Sequence, residues 1–400
     1  MTSGEALILT GCRTPIGKFL GALSGRTAVE LGGAAAKAAF VRAGVDPAEV
    51  EEAVVGNVLS AGLGQAPARQ VALGAGMPSR SSALTVNMVC GSGLRAVMLA
   101  ELAVKAGAAG LVLAGGMESM SQAPHLLRGG RAGWKYGDGA LVDSLIHDGL
   151  TCAFEGWPMG MASERTAEVC GLTREELDEA AVQSHRKAAQ AREDGAFVEE
   201  IVPVEIPGRK GTVVVATDEG PRPDADLASL AKLAPAFRPD GVVTAGNASS
   251  LSDGAAMVLV ASSDMCRRLH AKPVARVVAS AVSGGDPRDL FLAPVDAVRT
   301  VLRMAGLTAD QVDLYEINEA FASQLLGCVR RLELDPARVN VNGGAIALGH
   351  PIGASGARVL VTLLHTLARR GGRYGVATLC LGGGNAVAMV VESFASRSAN

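Results

Sequence analysis

The chain of 400 residues is poor in aromatic side chains, which make up 3% of it, and its net charge is only −3. A core with so few rings is expected to consist of Ala, Val, Leu and Ile packed around backbone that 50 glycines keep thin. The near-neutral charge gives no reason to expect binding to nucleic acid or to an anionic membrane. With apolar residues at 48%, the chain can instead form a large folded core.

The sequence also lacks paired cysteines, a signal peptide and a long apolar run. Its seven cysteines form no C-x-x-C pair, which favours reduced thiols in a cytosol-like compartment over a disulfide framework or a zinc site. The first ten residues have no basic stretch followed by an apolar one. The most apolar segment, 376–391, is interrupted by glycines and an asparagine at 382–385. We therefore expect a cytoplasmic protein that holds no metal or cofactor and binds no membrane.

Short apolar strands alternate with alanine-rich helices, a pattern typical of an α/β fold of two or three domains. The expected strands are Ala6–Leu9, Ala53–Val55, Ala83–Val86, Gly110–Ala114, Ala255–Ala261, Val274–Ser280, Leu314–Glu316, Tyr374–Leu379 and Ala386–Val391. The expected helices are Thr27–Ala43, Leu94–Ala106, Pro294–Ala305, Glu319–Glu333 and Ser355–Arg370.

A faint internal repeat divides these elements. Val-Asn at 86–87 precedes a glycine-rich turn and a helix, and Val-Asn at 341–342 does the same near the other end of the chain. Two similar βαβαβ-type halves related by a pseudo-twofold axis would bring these matching turns together.

The region between the halves differs from them in composition and in its expected secondary structure. Residues 121–172 are glycine-rich and irregular, a capping box at Thr173 opens a polar helix to about Asp194, and 203–239 contains six prolines. The predicted domains are an N-terminal half (1–120 with 252–272), an inserted loop domain (121–251) and a C-terminal half (273–400).

Cys90 is the most informative residue, because it lies in Cys-Gly-Ser-Gly between a predicted strand and a predicted helix. Unpaired N–H groups and the helix dipole at such a position favour a thiolate. The glycines allow a sharp turn and close approach of a ligand. This is how a nucleophile is presented, although a lone cysteine is more often a small buried apolar residue.

Three further segments place polar or reactive side chains in loops. His350 lies in a second glycine-rich turn before a helix, Cys380 ends a strand before Gly-Gly-Gly, and Asn318 precedes the helix expected from Glu319. Taken singly, they read as a structural histidine, a core cysteine and a helix N-cap. In company with Cys90 they indicate an active site.

Together these four segments, in this order, resemble the thiolases, the acetyl-CoA acyltransferases. The resemblance runs from Arg-Thr-Pro-Ile-Gly at 13–17 to about Glu392. It implies the thiolase fold, in which two similar halves pack together and a loop domain covers the active site and binds coenzyme A. It also implies reversible thiolysis of a 3-ketoacyl-CoA by a ping-pong mechanism, with coenzyme A and acyl-CoA as substrates.

The resemblance assigns a role to each segment. Cys90 would be the acylated nucleophile, His350 the group that activates it, and Cys380 the second acid and base. Asn318 would position a water beside His350 to complete one oxyanion hole. The backbone N–H groups of Cys90 and Gly382 would form the other.

Coenzyme A contacts also follow from the resemblance. The family positions map onto Leu150, Met159, Arg222, Ser229, Phe237, Ala245, Ser249, Ala320 and Phe321. Small residues at 244–249 would let the pantetheine arm lie against backbone. Arg222 would face the nucleotide phosphates, unless it is an ordinary exposed arginine.

Two departures from the family pattern affect the substrate. Trp-Pro-Met-Gly at 157–160 is closer to degradative, broad-range thiolases than to short-chain biosynthetic ones. The family's Met-Gly-x-Gly-Pro segment is replaced by Asp-Leu-Phe-Leu-Ala-Pro at 289–294. Acyl chain length, direction and pathway therefore stay open, from fatty acid degradation to supply of acetoacetyl-CoA.

Two other functions fit the sequence less well. A ketoacyl-synthase-type condensing enzyme has no second cysteine in a Gly-Gly-Gly loop, and a non-catalytic lipid- or acyl-CoA-binding relative need not keep the catalytic set. A dinucleotide loop at 91–96 lacks its third glycine.

Trp134 and Tyr136, in the glycine-rich stretch 125–140, favour a contact surface and hence a homotetramer built from dimers.

Overall fold

The computed structural model of this chain describes residues 4–208 and 211–395. The strands of these residues, β1 to β14 in chain order, are Ala6–Arg13, Gly17–Lys18, Glu52–Gly56, Ser82–Val86, Leu111–Ser119, His125–Leu127, Leu141–Asp143, Val204–Gly208, Gly211–Val215, Ser252–Ser262, Ala275–Gly284, Leu314–Ile317, Tyr374–Leu381 and Asn385–Ser393. The α-helices, α1 to α11, are Ala28–Ala43, Pro67–Gly74, Ser92–Lys105, Met159–Cys170, Arg174–Glu193, Leu227–Leu230, Ser263–Leu269, Ala293–Ala305, Ala322–Arg331, Ala345–Leu348 and Ser355–Arg370.

One mixed sheet runs through the molecule in the order β12-β13-β14-β11-β1-β10-β5-β3-β4, with β2 beside β10. The N-terminal half contributes β1, β10, β5, β3 and β4, and the C-terminal half contributes β11, β14, β13 and β12. A short antiparallel pairing, Leu7 with Arg276 and Ile8 with Ala275, joins the two sets. The predicted α/β fold with two similar halves is therefore confirmed, and every expected strand and helix is present with ends shifted by a few residues.

The predicted repeat is visible in the strand pairing. In the N-terminal half, β4 pairs in parallel with β3 and leads into the turn at Asn87. In the C-terminal half, the equivalent chain before Asn342 makes only an isolated parallel bridge between Val339 and Tyr315. The second half therefore repeats the chain path of the first, with a single bridge in place of a paired strand.

Helices α3 and α11 form the central layer and cross at their first turns. A Cβ atom on Gly93 would lie 2.7 Å from the backbone nitrogen of Ala357, and one on Gly356 would lie 2.3 Å from that of Leu94. Both distances are far below normal contact, so only glycine fits at either position. Because the helices meet at their N-terminal ends, the loops that precede them meet as well.

The region between β5 and β10 is more regular than predicted. The interpretation of 121–172 as irregular is wrong for Met159–Cys170, which forms α4. The polar helix opened by Thr173 is α5, and the expected capping box is present. Two small hairpins, β6–β7 and β8–β9, were not predicted.

A buried arginine holds this region to the sheet. Arg13, on β1, is 0% exposed, and its guanidinium donates to Glu200 at 2.6 Å and to both carboxylate oxygens of Asp218 at 2.7 and 2.9 Å. Glu200 also accepts from the hydroxyl of Thr362, on α11, at 3.2 Å. Three parts of the chain thus share one network of ions and hydrogen bonds.

Loss of Arg13 is expected to destabilise the protein strongly. Arg13→Ala leaves two buried carboxylates without their cation, and broken buried pairs of this kind cost about 3–5 kcal/mol of folding free energy. Chemical denaturation measures the change. The control is Arg267→Ala, because Arg267 pairs with Asp264 at the surface with 73% of its side chain exposed, and it should change stability by less than about 0.5 kcal/mol. Equal effects of the two substitutions would contradict the role given to Arg13.

Candidate active site

A cavity of about 210 Å³ lies where the loops before α3 and α11 meet the end of β13. Cys90, His350, Cys380 and Gly382 all line it, as the sequence predicted. Asn318 is fully buried directly behind His350. The five residues predicted to carry the chemistry therefore lie at one place.

The Cys90 turn is strained and tied down. Val89 has φ = +48°, a left-handed conformation that β-branched residues rarely adopt and that costs about 1–3 kcal/mol. Its N–H donates to the Asn87 side chain at 3.0 Å, and its carbonyl accepts from the Ser92 hydroxyl at 2.7 Å. Ser92 also accepts from the N–H of Met88 at 2.8 Å. The strain directs the thiol into the cavity.

Burial raises the pKa of Cys90 to about 12, which disfavours the thiolate that the sequence led us to expect. The backbone N–H groups of Cys90 and Gly382 lower this pKa, and the carboxylate of Glu118 raises it. The effect of each of these groups on the pKa of Cys90 is smaller than that of burial. The shift favours the neutral thiol, so Cys90 would need a base to act as the predicted nucleophile.

His350 is a neutral imidazole whose tautomer follows from its contacts. Burial, with a smaller effect from Arg358, lowers its pKa to about 3. Its Nδ1 lies 2.6 Å from the Ser355 hydroxyl oxygen, and that hydroxyl donates its one proton to the Pro351 carbonyl at 2.9 Å. With the Ser355 proton assigned to the Pro351 carbonyl, the neutral ring carries its proton on Nδ1 and donates to Ser355. Nε2 is then the unprotonated ring nitrogen, as a base requires.

Asn318 faces that nitrogen. Its Nδ2 lies 3.5 Å from His350 Nε2, and its buried Oδ1 has no hydrogen-bond partner in the protein. The alternative that Asn318 caps the following helix is wrong. That helix, α9, begins at Ala322, and Phe321 is its N-cap residue. Residues 319–321 instead run alongside the loop domain, with a bridge between Ala248 and Phe321.

Cys380 lies on β13 just before the turn at Gly382 and is 1% exposed. Burial raises the pKa of its thiol well above the usual value, and the neighbouring Cys90 and Cys328 raise it further. A negative charge on Cys90 therefore makes it harder for Cys380 to ionise. The two thiols are suited to exchange one proton by turns rather than to ionise together.

A second cavity, of about 460 Å³, adjoins the first and shares Ala248, Ser250 and Leu251 with it. The residues predicted to bind coenzyme A fall into two groups. Leu150, Met159, Phe237, Ser249, Ala320 and Phe321 line the first cavity, whereas Arg222, Ser229 and Ala245 line the second. All nine therefore lie along one continuous path that ends at Cys90.

The comparisons with known proteins agree with this geometry. The family description "Thiolase, N-terminal domain" matches residues 6–264, and "Thiolase, C-terminal domain" matches residues 271–393. The chain belongs to the thiolase family. It is 50% identical over 389 residues to an acetyl-CoA acetyltransferase of Chromobacterium violaceum, covering 97% of this chain and 99% of that protein.

Two solved structures are closely similar. The Bacillus anthracis acetyl-CoA acetyltransferase has a TM-score of 0.96 and 41% identity, covering 98% of this chain and 99% of that one. Human mitochondrial 3-ketoacyl-CoA thiolase has a TM-score of 0.96 and 42% identity, covering 98% and 100%. As a thiolase the chain is an acyltransferase, which favours this interpretation over the ketoacyl-synthase and non-catalytic alternatives.

Three further expectations concerned membrane spans, metal sites and disulfides. Among the helices of the described residues, none combines the length and hydropathy that crossing a bilayer requires. In the same part of the chain, no three His, Cys, Asp or Glu side chains are grouped so that they could hold a metal ion. All seven cysteines are free thiols.

Sequence reasoning missed three residues of this thiolase. Ser355 fixes the tautomer of His350. Glu118, 0% exposed, accepts from the backbone N–H of Val58 at 3.1 Å and of Gly353 at 3.0 Å, and so joins the two halves beside the cavity. His185 lines the second cavity and belongs to no sequence motif. Only the Ser-Gly pair that follows both catalytic turns, at 92–93 and 355–356, offered a signal.

His185 is suited to hydrogen bonding in its neutral form. Burial, with smaller effects from Arg222 and Lys18, lowers its pKa to about 4. Its Nδ1 accepts from the N–H of Arg222 at 3.2 Å, so its Nε2 carries the proton and can donate to a ligand.

The raised pKa of Cys90 predicts the pH dependence of its alkylation. Iodoacetamide reacts with the thiolate, so the rate at Cys90 should rise about tenfold per pH unit from pH 7 to 10 without a plateau near pH 9. Peptide mass spectrometry resolves the sites, and Cys90→Ala identifies the signal. A plateau below pH 8 would mean that Cys90 is already ionised at rest.

Ser355 is expected to act as a positioning residue. In Ser355→Ala, His350 loses the partner that fixes its proton on Nδ1, so kcat should fall roughly tenfold to a hundredfold, part of the about 10²–10⁴-fold that a placed base supplies. Ser355→Thr keeps the hydroxyl and should restore most of kcat. The KM for coenzyme A should not change, and a rise in KM with unchanged kcat would show a merely structural role.

Proposed function

We propose that this thiolase transfers an acyl group reversibly between Cys90 and coenzyme A, converting 3-ketoacyl-CoA and coenzyme A into acyl-CoA and acetyl-CoA. One observation carries the proposal: the His350 imidazole lines the same cavity as the Cys90 and Cys380 thiols. One thiol can then act as the nucleophile while the other donates and accepts protons.

In the first half-reaction, His350 Nε2 takes the proton of Cys90, and the Cys90 sulfur attacks the 3-keto carbon. The bond between C2 and C3 breaks, so the acyl group stays on Cys90. The electron pair of that bond goes to C2 of the leaving acetyl-CoA enolate, which takes a proton from Cys380. Acetyl-CoA leaves, with Cys380 as thiolate and His350 protonated.

In the second half-reaction, the Cys380 thiolate takes the proton of an incoming coenzyme A thiol. The coenzyme A sulfur attacks the thioester carbon, and the bond to Cys90 sulfur breaks. Cys90 recovers its proton from His350, which restores the neutral pair. Because the two thiols carry the negative charge at different stages, the ping-pong order fits their mutual destabilisation when both are charged.

Two groups of donors support the oxyanions. The N–H groups of Cys90 and Gly382 point at the Cys90 sulfur and lower its pKa, which supports a role for them as donors to the oxyanion of the acyl-Cys90 adduct. Protonated His350 would serve the enolate oxygen of acetyl-CoA. The buried Oδ1 of Asn318 has an unused lone pair with which to orient a water beside it.

Coenzyme A would lie along the two joined cavities. Its anionic nucleotide end would meet Arg222, Lys18 and the Nε2–H of His185 in the second cavity. Its pantetheine arm would pass Ser249, in the segment bonded to Ala320 by an N–H···O contact of 3.1 Å, and reach Cys90. No cofactor is required in this scheme.

Acetylation of Cys90 tests the proposal. After incubation with acetyl-CoA, mass spectrometry should find one acetyl group on the peptide that contains Cys90, and Cys90→Ala should lose both this adduct and thiolysis of acetoacetyl-CoA. Cys380→Ala serves as the matched control: it should still be acetylated at Cys90 but should no longer exchange the methyl protons of acetyl-CoA with deuterated water. Acetylation of Cys380 instead would reverse the two roles.

We also propose a cytoplasmic homotetramer built from dimers. The edge strand β4 has one free side, with Leu84 47% exposed, and suits pairing with a second copy. The β6–β7 hairpin and its loop expose Trp134 (47%) and Tyr136 (102%), which suits a further contact. Seven free thiols support a reducing compartment.

Light scattering tests the assembly. The intact chain should have the mass of a tetramer, and the double substitution Trp134→Ser, Tyr136→Ser should reduce it to a dimer. Val41→Ser with Val198→Ser is the control, since both valines are exposed elsewhere, at 81% and 69%. A tetramer that survives the first pair of substitutions would exclude the hairpin as the second interface.

A further inference from the structure

A basic cavity lies away from the catalytic centre, between the C-terminal parts of α5 and α11. Four cations line it, namely Arg186, Lys187, Arg369 and Arg370. Among the described residues, Asp194 is the only acidic one that lines it, and its Oδ1 already accepts from the Gln190 amide at 2.9 Å. The basic cavity shares no lining residue with the catalytic cavity or with the second cavity.

These four cations lack ionic partners. In the described part of the chain, none of them forms an ion pair with a carboxylate. The exposed Arg268 and Arg330, by contrast, each pair with a glutamate. Like charges around one cavity repel one another, so a bound anion would stabilise them. Guanidinium groups suit a phosphate in particular, because they can donate two parallel N–H bonds to its oxygens.

Lys187 differs from the three arginines. It is the least exposed of the four, and its Nζ donates to the backbone carbonyl of Val339 at 3.1 Å. Burial lowers the pKa of its ammonium group, against the opposing effect of the Glu319 and Glu316 carboxylates, and Arg370 adds to the lowering. A larger share of Lys187 is therefore the neutral amine, which is the nucleophilic form.

The position of Lys187 makes its amine accessible beside the arginines. Lys187 also lines a neighbouring cavity between α5 and α9, so its side chain borders open space on two sides. A phosphate held by the arginines would bring a directly attached acyl group to this amine. In an acyl phosphate, one oxygen atom joins the carbonyl carbon to phosphorus. In acetyl-CoA, the whole pantetheine arm separates the two groups.

We propose that Lys187 is a site of covalent acylation by acyl phosphates, whose phosphate is held by Arg186, Arg369 and Arg370. The nitrogen lone pair attacks the carbonyl carbon and forms an amide bond. The bond from that carbon to the phosphate oxygen breaks, and the phosphate leaves with its electron pair and takes up the proton that the nitrogen loses. The inference goes beyond the proposed function, since Cys90 takes no part in it.

Incubation of the intact enzyme with acetyl phosphate tests the inference, with peptide mass spectrometry as the readout. Lys187 should be acetylated about tenfold faster than Lys272, an exposed lysine between α7 and β11. Lys187→Arg identifies the signal. Cys90→Ala should show the same rate at Lys187, so the result does not depend on the proposed thiolase reaction.

Phenyl acetate, an acyl donor without a phosphate, separates the anion site from the reactivity of the amine. The ratio of the Lys187 acetylation rates with acetyl phosphate and with phenyl acetate cancels any change in the amine itself. The double substitution Arg369→Ala, Arg370→Ala should lower this ratio about tenfold.

Arg192→Ala with Arg267→Ala is the matched control, because it makes the same change in net charge. Both arginines are exposed, and neither lines the basic cavity. The control should leave the ratio within about twofold of its original value, since distant surface charges are screened by salt.

Inorganic phosphate provides a second readout. It should compete with acetyl phosphate and slow acetylation at Lys187 without slowing it at Lys272. Three results would overturn the inference: equal rates at Lys187 and Lys272, a ratio that the α11 substitutions leave unchanged or that the control lowers equally, and loss of Lys187 acetylation in Cys90→Ala. The last would mean that the acetyl group reaches Lys187 from Cys90.

Discussion

The crossing of α3 and α11 at Gly93 and Gly356 determines where everything else in the site can lie. The two helices approach so closely that neither position has room for a single methyl group. Each helix is preceded by a glycine-rich turn, and the contact at the first turns brings these two turns together from distant parts of the chain. Cys90 and His350 meet because the backbones touch, and the clamp of Glu118 across Val58 and Gly353 adds to the same contact.

Burial between the halves then decides the protonation of the site. It raises the pKa of both thiols and lowers that of the imidazole, and all three shifts favour the uncharged forms. Charge arises only when a substrate supplies a group that can share it, close to the N–H groups of Cys90 and Gly382. An apolar site of this kind delays ionisation until the bond-making atoms are in place.

The sequence allowed much of this to be predicted, because each catalytic side chain lies in a turn whose glycines are visible locally. Cys90, His350 and Cys380 were found in this way, and so was the order of strands and helices, whereas the role expected of Gly382 followed from the resemblance to thiolases. What failed depended on contacts between distant segments. Asn318 looks like a helix cap until the loop domain holds residues 319–321 extended, and the thiolate expected at Cys90 disappears once the covering residues exclude water.

Residues that act through a partner were harder to predict. Ser355 has no motif of its own, and its importance depends on the proton count of one hydroxyl between Pro351 and His350. His185 lies on a polar helix whose pattern does not distinguish it from its neighbours.

The paired serines suggest how a duplicated fold can acquire an asymmetric active site. Ser92 and Ser355 occupy the first turns of the two crossing helices, and each donates its proton to a carbonyl of the turn before it. The two hydroxyl oxygens face different groups. Ser92 accepts from the backbone N–H of Met88, whereas Ser355 contacts the His350 imidazole. The same kind of turn therefore holds Cys90 in one half and His350 in the other, and the two turns differ in the group that approaches the serine oxygen.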